Sequence, residues 1–207
     1  MTQRRMVVGI SGASGAVYGI RLLQALASLG IETHLVMSAA AERTVAIETS
    51  YKIAQVRALA SVWHPASDVA APPSSGSFST LGMVVAPCSM RTLAEIATGA
   101  TSNLLTRAAD VVMKERRRLV LMVRETPLHS IHLRNMLTLS EAGVIIAPPV
   151  PALYALPESV DDIVDHAVGR VLDLFGLETG KVRRWGEAPA DGSRRVRALR
   201  RSRGTAR

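Results

Sequence analysis

Residues 6–26, MVVGISGASGAVYGIRLLQAL, constrain the fold more than any other part of the chain. An apolar run (Val7, Val8, Ile10) breaks into Gly9, Gly12 and Gly15. It resumes as Ile20, Leu22, Leu23 and Leu26, whose spacing fits one face of a helix. The expected unit is strand, glycine turn, helix. Glycines let the backbone adopt positive φ and approach a ligand closely, and the free amides that open a helix favour an anion, most often a phosphate. These three glycines do not spell the dinucleotide fingerprint, and many such turns bind nothing. On this stretch alone, a ligand site and a plain structural turn both stay open.

The same alternation continues downstream. Residues 31–37 read as a second strand, with Ser38 placed to cap the helix that follows. Residues 51–63 are amphipathic and read as helix, and DVAAPPSSGSFST reads as a loop with Ser74 to Ser77 at its tip. Residues 81–86 form a buried strand stopped by Pro87, and Ser89 opens the next helix. A helix over 102–115, a strand over 119–123, a turn of Arg124, Glu125, Thr126 and Pro127, and a helix over 128–142 follow. VIIAPP is the last expected strand. A loop with Tyr154 and Pro157 then leads to a helix capped by Ser159, with Asp161 and Asp162 in its first turn, where the helix dipole favours acids. Strands alternating with helices imply a mostly parallel sheet covered on both faces, an α/β, Rossmann-like three-layer αβα sandwich. With 207 residues, 48% of them hydrophobic, one domain is expected over residues 1–187.

Charge is distributed unevenly. The chain carries +8, but residues 188–207 hold seven arginines against Asp191, which makes +6 of it. The folded part is therefore near neutral, and the Arg-rich tail is expected to be solvated and disordered, which argues against a nucleic-acid site in the domain. One cysteine, Cys88, excludes an internal disulfide framework and suits a reducing compartment. MTQRRM leads straight into the first strand, with neither signal peptide nor membrane anchor indicated, so a cytoplasmic protein is expected.

In a doubly wound sheet, ligands bind outside the carboxyl ends of the strands. The first polar groups after each expected strand are Ser14, Ser38, Ser89 with Arg91 and Thr92, Arg124 with Glu125, and Tyr154. Hydroxyls, helix-start amides and two arginines equip such a rim for a phosphate and a polar ring. The histidines are scattered and Cys88 has no partner, so no metal is expected. Glu48 closes a helix and Glu125 follows Arg124 at a strand end; each could serve acid–base chemistry or be a plain helix end and ion-pair partner. Lys114 and Arg107 share one helix face, ordinarily a solvated one, and His129 and His132 read as surface or packing residues. Cys88 reads as a small apolar packing group.

Taken together, GISGASGAVYGIRLLQAL, the spacing from Ser38 to Glu48, APPSSGSF, the dense run APCSMRTLAEIATGATSNLLTRAADVVMKERRRLVLMVRETPLHSIHLRNMLTLSEAGVIIAPPVPALYALP and the closing RWGE resemble the UbiX-type flavin prenyltransferases. The resemblance implies an enzyme that binds FMN and joins the dimethylallyl group of dimethylallyl phosphate to N5 and C6 of the flavin. The product, prenylated FMN, would serve UbiD-type decarboxylases. It also implies no metal, and a large homo-oligomer, commonly a dodecamer, whose sites are completed by neighbouring subunits. Gly12, Ala13, Ser14, Ser38, Ser89, Met90, Arg91, Thr92 and Arg124 match its FMN-binding positions. Tyr154 and Arg170 match those that hold the prenyl phosphate, with Lys114 and Glu125 lining that pocket and Trp185 near it. Ser14 and Glu48 match a pair thought to move protons. One departure is Leu153, where an aromatic is expected. The resemblance also leaves two rivals, a flavin-dependent cysteine decarboxylase and a flavin-binding accessory subunit. Glu48 disfavours the first, because a histidine is typical there, and a second phosphate site disfavours the other. On the resemblance, the phosphate of FMN is expected at the helix start 89–92 and the glycine turn at the other end of the cofactor.

Overall fold

A computed structural model describes residues 4–186; Glu187 and the Arg-rich segment 188–207 lie outside the described residues. The elements run β1 (Arg5–Ile10), α1 (Ala16–Ser28), β2 (Glu32–Met37), α2 (Ala39–Glu48), α3 (Ile53–Ala58), β3 (Val62–Pro65), β4 (Gly82–Cys88), α4 (Met90–Ala97), α5 (Leu104–Lys114), β5 (Arg118–Val123), α6 (Ser130–Glu141), β6 (Ile145–Ile146) and α7 (Val160–Asp173). All six strands pair in parallel in the order β3-β2-β1-β4-β5-β6. The chain winds outward from β1 in one direction and from β4 in the other. The carboxyl ends of these two neighbours therefore flank the crevice where doubly wound folds place ligands.

Alternating strand residues feed two cores. Val8, Ile10, Leu35, Met37, Val84 and Met122 pack with α1 and α7, while Val7, Val36, Met83, Val85 and Leu121 pack with α4, α5 and α6. Helix α1 lies so close to the sheet that a Cβ on Gly19 would fall 2.4 Å from the Ala86 carbonyl oxygen. Among the described residues, no helix is long and apolar enough to cross a membrane.

Three local expectations change. Residues 51–63 are not one helix: α3 stops at Ala58, and Trp63 enters β3, where Leu35 pairs with Trp63 and His34 with Val62. The open edge of β2 recruits this segment, an instance of tertiary pairing outweighing helical periodicity. Strand β4 continues through Pro87 to Cys88, with its register against β5 shifted between Val85 and Cys88. Pro87 lacks an N–H, but its carbonyl accepts bonds from Ser11, so the neighbouring strand end holds the segment in place. The final strand shrinks to Ile145–Ile146, because Pro148 and Pro149 offer no amides to a ladder.

Candidate active site at the carboxyl edge of the sheet

Ser11 ties the two central strands together. Its amide donates to the Pro87 carbonyl at 3.2 Å, its hydroxyl donates to the same carbonyl at 2.9 Å, and its Oγ accepts the Ser89 amide at 2.7 Å. This buried serine was not among the residues singled out from sequence; the available signal was a polar residue closing an apolar strand beside Gly12. Replacing it with alanine strands the Ser89 amide. The cost expected from an unsatisfied buried donor is about 1–3 kcal/mol of folding stability. Chemical denaturation of Ser11→Ala checks this, and an unchanged midpoint would show that the tie is not stabilising.

The serines downstream act as helix caps. Ser38 Oγ accepts the Ala41 amide at 3.1 Å, and Ser89 Oγ accepts the Thr92 amide at 3.4 Å while donating to Thr92 Oγ1 at 3.2 Å. Capping satisfies one amide in each first turn and leaves those of Ala39 and Ala40, and of Met90 and Arg91, without intrahelical partners. The α4 start therefore offers amides to an anion. Arg91 is exposed and pairs with Glu95 at 2.9 Å.

At the glycine turn the anion is the protein's own. Glu48, the last residue of α2, accepts the Gly15 amide at 2.7 Å and the Ala16 amide at 3.1 Å through the same Oε2, and the Ser14 hydroxyl lies beside this carboxylate. Burial would raise the Glu48 pKa, but the Ser14 hydroxyl, the two amides and the Arg124 charge outweigh it and hold the carboxyl below its ordinary value. The α1 start is thus occupied by a carboxylate from 32 residues away, so these amides are not free for a phosphate. Gly15 has φ 104°, open to glycine at no cost, and a Cβ on it would crowd Tyr18 Cδ2 at 3.0 Å and Arg124 Cδ at 3.3 Å. Arg124 therefore crosses the turn beside Glu48 and Tyr18. Burial pushes the Tyr18 phenol above its ordinary value, the Arg124 charge working against it. Gly12 packs against the start of α2, since a Cβ there would lie 2.4 Å from the Ala40 Cβ, and Ala13 is buried beside it. Glu125 follows Arg124 and is exposed, with its Oε1 accepting the Thr126 amide at 2.9 Å.

The remaining candidates stand apart. Tyr154 and Arg170 line a cavity of about 300 Å³ between the segment after β6 and α7, together with Met122, Pro148, His166 and Val171. Arg170 is paired with Asp173 at 2.7 Å, and the Tyr154 ring meets Trp185 edge-on with centroids 5.3 Å apart. Leu153, the departure from the expected aromatic, points to solvent at 72% exposure. Lys114 ends α5, immediately before β5, and its Nζ contacts Glu115 Oε1 at 2.5 Å beside Gly76. That is the amino edge of the sheet. The six residues of β5, at about 3.3 Å each, put it roughly 20 Å from Arg124. The structure therefore gathers Gly12 to Ser14, Ser38, Glu48, Ser89 to Thr92, Arg124 and Glu125 on one rim. It places Tyr154, Arg170 and Trp185 in a second group, and in one chain it does not bring Lys114 to either.

Other candidates settle into structural roles. Cys88 is fully buried, and burial drives its thiol well above the usual range. His129 caps α6 by accepting the Ile131 amide through Nδ1 at 3.2 Å and stacks on His132 with centroids 3.6 Å apart. Arg107 pairs with Asp110 at 2.8 Å. Among the described residues, no group of three or more His, Cys, Asp and Glu side chains is placed to hold a metal ion.

The chain matches the Flavoprotein family over residues 1–172. It is 59% identical over 175 residues to the flavin prenyltransferase UbiX of Escherichia coli (strain K12), an alignment covering 84% of this chain and 93% of that one. The crystal structure of AnUbiX in complex with FMN and dimethylallyl pyrophosphate superposes with a TM-score of 0.89 at 55% identity, covering 90% of this chain and all (100%) of that one. A dodecameric FMN-dependent UbiX-like decarboxylase from Escherichia coli O157:H7 gives a TM-score of 0.87 at 55% identity, covering 88% and 100%.

Proposed function

This chain belongs to the flavoprotein family and within it to the UbiX flavin prenyltransferases, and we propose that it joins the dimethylallyl group of dimethylallyl phosphate to N5 and C6 of reduced FMN. The observation that carries the reading is the convergence of Ser14, Glu48 and Arg124, far apart in sequence, at the mouth of the crevice between β1 and β4. An accessory flavin carrier has no need of Tyr154 and Arg170 as a second phosphate site, and a plain cap for α1 has no need of the Ser14 hydroxyl and the Arg124 charge beside Glu48.

The rim fits FMN. The amides that open α4 suit its phosphate, with Ser89, Met90, Arg91 and Thr92 around it, whereas the α1 amides are already committed to Glu48, whose charge repels a phosphate. Gly12, Ala13, Ser14 and Ser38 would then meet the ring end. When bound, FMN supplies the nucleophilic N5 and C6 and one flat aromatic wall. The chain contributes charge and proton management. Cleaving the C–O bond leaves negative charge on the phosphate, which Arg124, Arg170, the Tyr154 hydroxyl and Lys114 are suited to stabilise, and Glu125 would protonate the departing group. Glu48, ionised and beside Ser14, would accept the proton released when the second bond forms. Trp185 against Tyr154 would keep water from the prenyl group.

Because Lys114 lies on the amino edge, it would serve the site of another copy, which is consistent with a homo-oligomer of the dodecameric kind formed by the Escherichia coli relative. Delivery of the product to a UbiD-type decarboxylase and a cytoplasmic location belong to the same proposal. Its test is to incubate the protein with reduced FMN and dimethylallyl phosphate, and in parallel with the pyrophosphate that AnUbiX binds, and to weigh the flavin by mass spectrometry. A gain of one prenyl unit is expected; unchanged flavin with both donors would sink the transferase reading.

A further inference from the structure

Residues 179–186 run back along one face of α7 and meet residues of the helix and of the adjoining Tyr154 turn. Val182 crosses at Gly169, where a Cβ would lie 2.4 Å from Val182 Cγ2, and Lys181 pairs with Asp165 at 2.9 Å. Two helix residues do more than hold this strap. His166, nine-tenths buried, has its Nε2 3.3 Å from the Arg183 carbonyl and 3.5 Å from the Tyr154 hydroxyl. Asp173 accepts from Arg184 at 2.6 and 2.9 Å and from Arg170 at 2.7 Å, and these guanidinium partners outweigh burial to hold its carboxyl below the ordinary value. Each of the two groups assigned to the prenyl phosphate, Tyr154 and Arg170, thus shares a partner with the strap.

Hydrogen-bond accounting gives the sharing a direction. A carbonyl only accepts, so the bond to Arg183 requires the proton on Nε2. The Tyr154 hydroxyl then keeps its hydrogen to donate into the cavity it shares with Arg170. A phosphate arriving there would draw on the same hydroxyl and on Arg170. Tyr154, donating to the phosphate, would still accept from His166 and hold it beside Arg183, Asp173 would be left undivided to Arg184, and the strap would tighten with Trp185 against Tyr154. We propose that His166 and Asp173 are positioning residues that couple prenyl-phosphate binding to closure of the 179–186 strap. The proposal rests on the prenyltransferase reading for its ligand.

The test uses the full chain with His166→Phe, His166→Gln and Asp173→Asn. Trypsin cleavage is followed by the peptides ending at Arg183 and Arg184, with and without dimethylallyl phosphate, alongside steady-state kinetics and FMN titration. Ligand is expected to slow cleavage of the wild-type strap several-fold and to give no protection in His166→Phe or Asp173→Asn. His166→Phe is expected to raise KM for dimethylallyl phosphate roughly tenfold with kcat and FMN affinity little changed, the mark of lost ground-state binding. His166→Gln, whose amide can donate to Arg183, should restore both protection and KM. No protection of the wild type, protection persisting in both disrupted variants, or a Gln variant no better than Phe each overturns the coupling. A wild type that is protected yet makes no prenylated flavin overturns the transferase reading while supporting the coupling.

Discussion

Glu48→Gln is expected to bind FMN normally and to stall after the first bond to the flavin, with yield of the fully cyclised product lower by roughly 10²–10⁴, the usual range for loss of a positioned base. The fold should survive, because a glutamine oxygen can still accept the Gly15 and Ala16 amides that Oε2 now accepts at 2.7 and 3.1 Å. What is lost is the charge and the ability to take a proton. Mass spectrometry of the flavin together with its absorbance would separate a singly bonded adduct from the ring-closed product. Normal yield in this variant would show that the proton-accepting role is wrong.

The same residue sets an acid limit. Glu48 is held below its ordinary value of 4.5, so its carboxylate form, and the helix-capping stability that goes with it, are present above that value and lost as pH falls through the lower folded-state value. Wild-type thermal stability should therefore hold down to about pH 4.5 and decline below it, ring closure should be lost only through the lower folded-state value, and Glu48→Gln should show a shallower decline in stability.

Lys114→Ala should abolish most transfer while leaving FMN binding intact, by roughly 10²–10³, the scale for removing one stabiliser of developing oxyanion charge. The larger consequence is for mixing. With Glu48 on the carboxyl edge and Lys114 on the amino edge of one sheet, a site that used both, as proposed, would take them from different copies. Re-associating equal amounts of inactive Lys114→Ala and inactive Glu48→Gln should then return about a quarter of wild-type activity, since random assembly in a symmetric oligomer gives that share of sites both native residues. If one chain supplied both groups, no mixed site would be intact and no activity would return. Silence after confirmed subunit exchange would place Lys114 in its own chain's site or outside the mechanism.

Much of the rim was legible because its signals are local. Ser38, Ser89 and Ser159 each stand before a helix and cap it through an amide three residues on, a relation contained in four residues of sequence. The chemistry of Glu48 was less legible. Its helix end looked the same whether it faced solvent or a partner, and its partner amides lie 32 and 33 residues earlier. Ser11 carries no local signal, since one buried hydroxyl at a strand end has no pattern; its value comes from Pro87 and Ser89, 76 and 78 residues away.

The sequence by itself determined the alternation of strands and helices, the two-sided burial of the sheet and the rim on which the polar groups would collect. Periodicity, capping and glycine or proline conformations act over a few residues, and the doubly wound topology then leaves few choices. Only the tertiary structure decided that the glycine turn binds a carboxylate from α2 rather than a phosphate. It also recruited Trp63 into an edge strand, laid the 179–186 strap on α7 and kept Lys114 a sheet's length from Arg124. Each of these is a distance between segments remote in sequence. Such distances follow from how β2, α2, α5 and α7 pack against the whole, and local pattern holds no record of them.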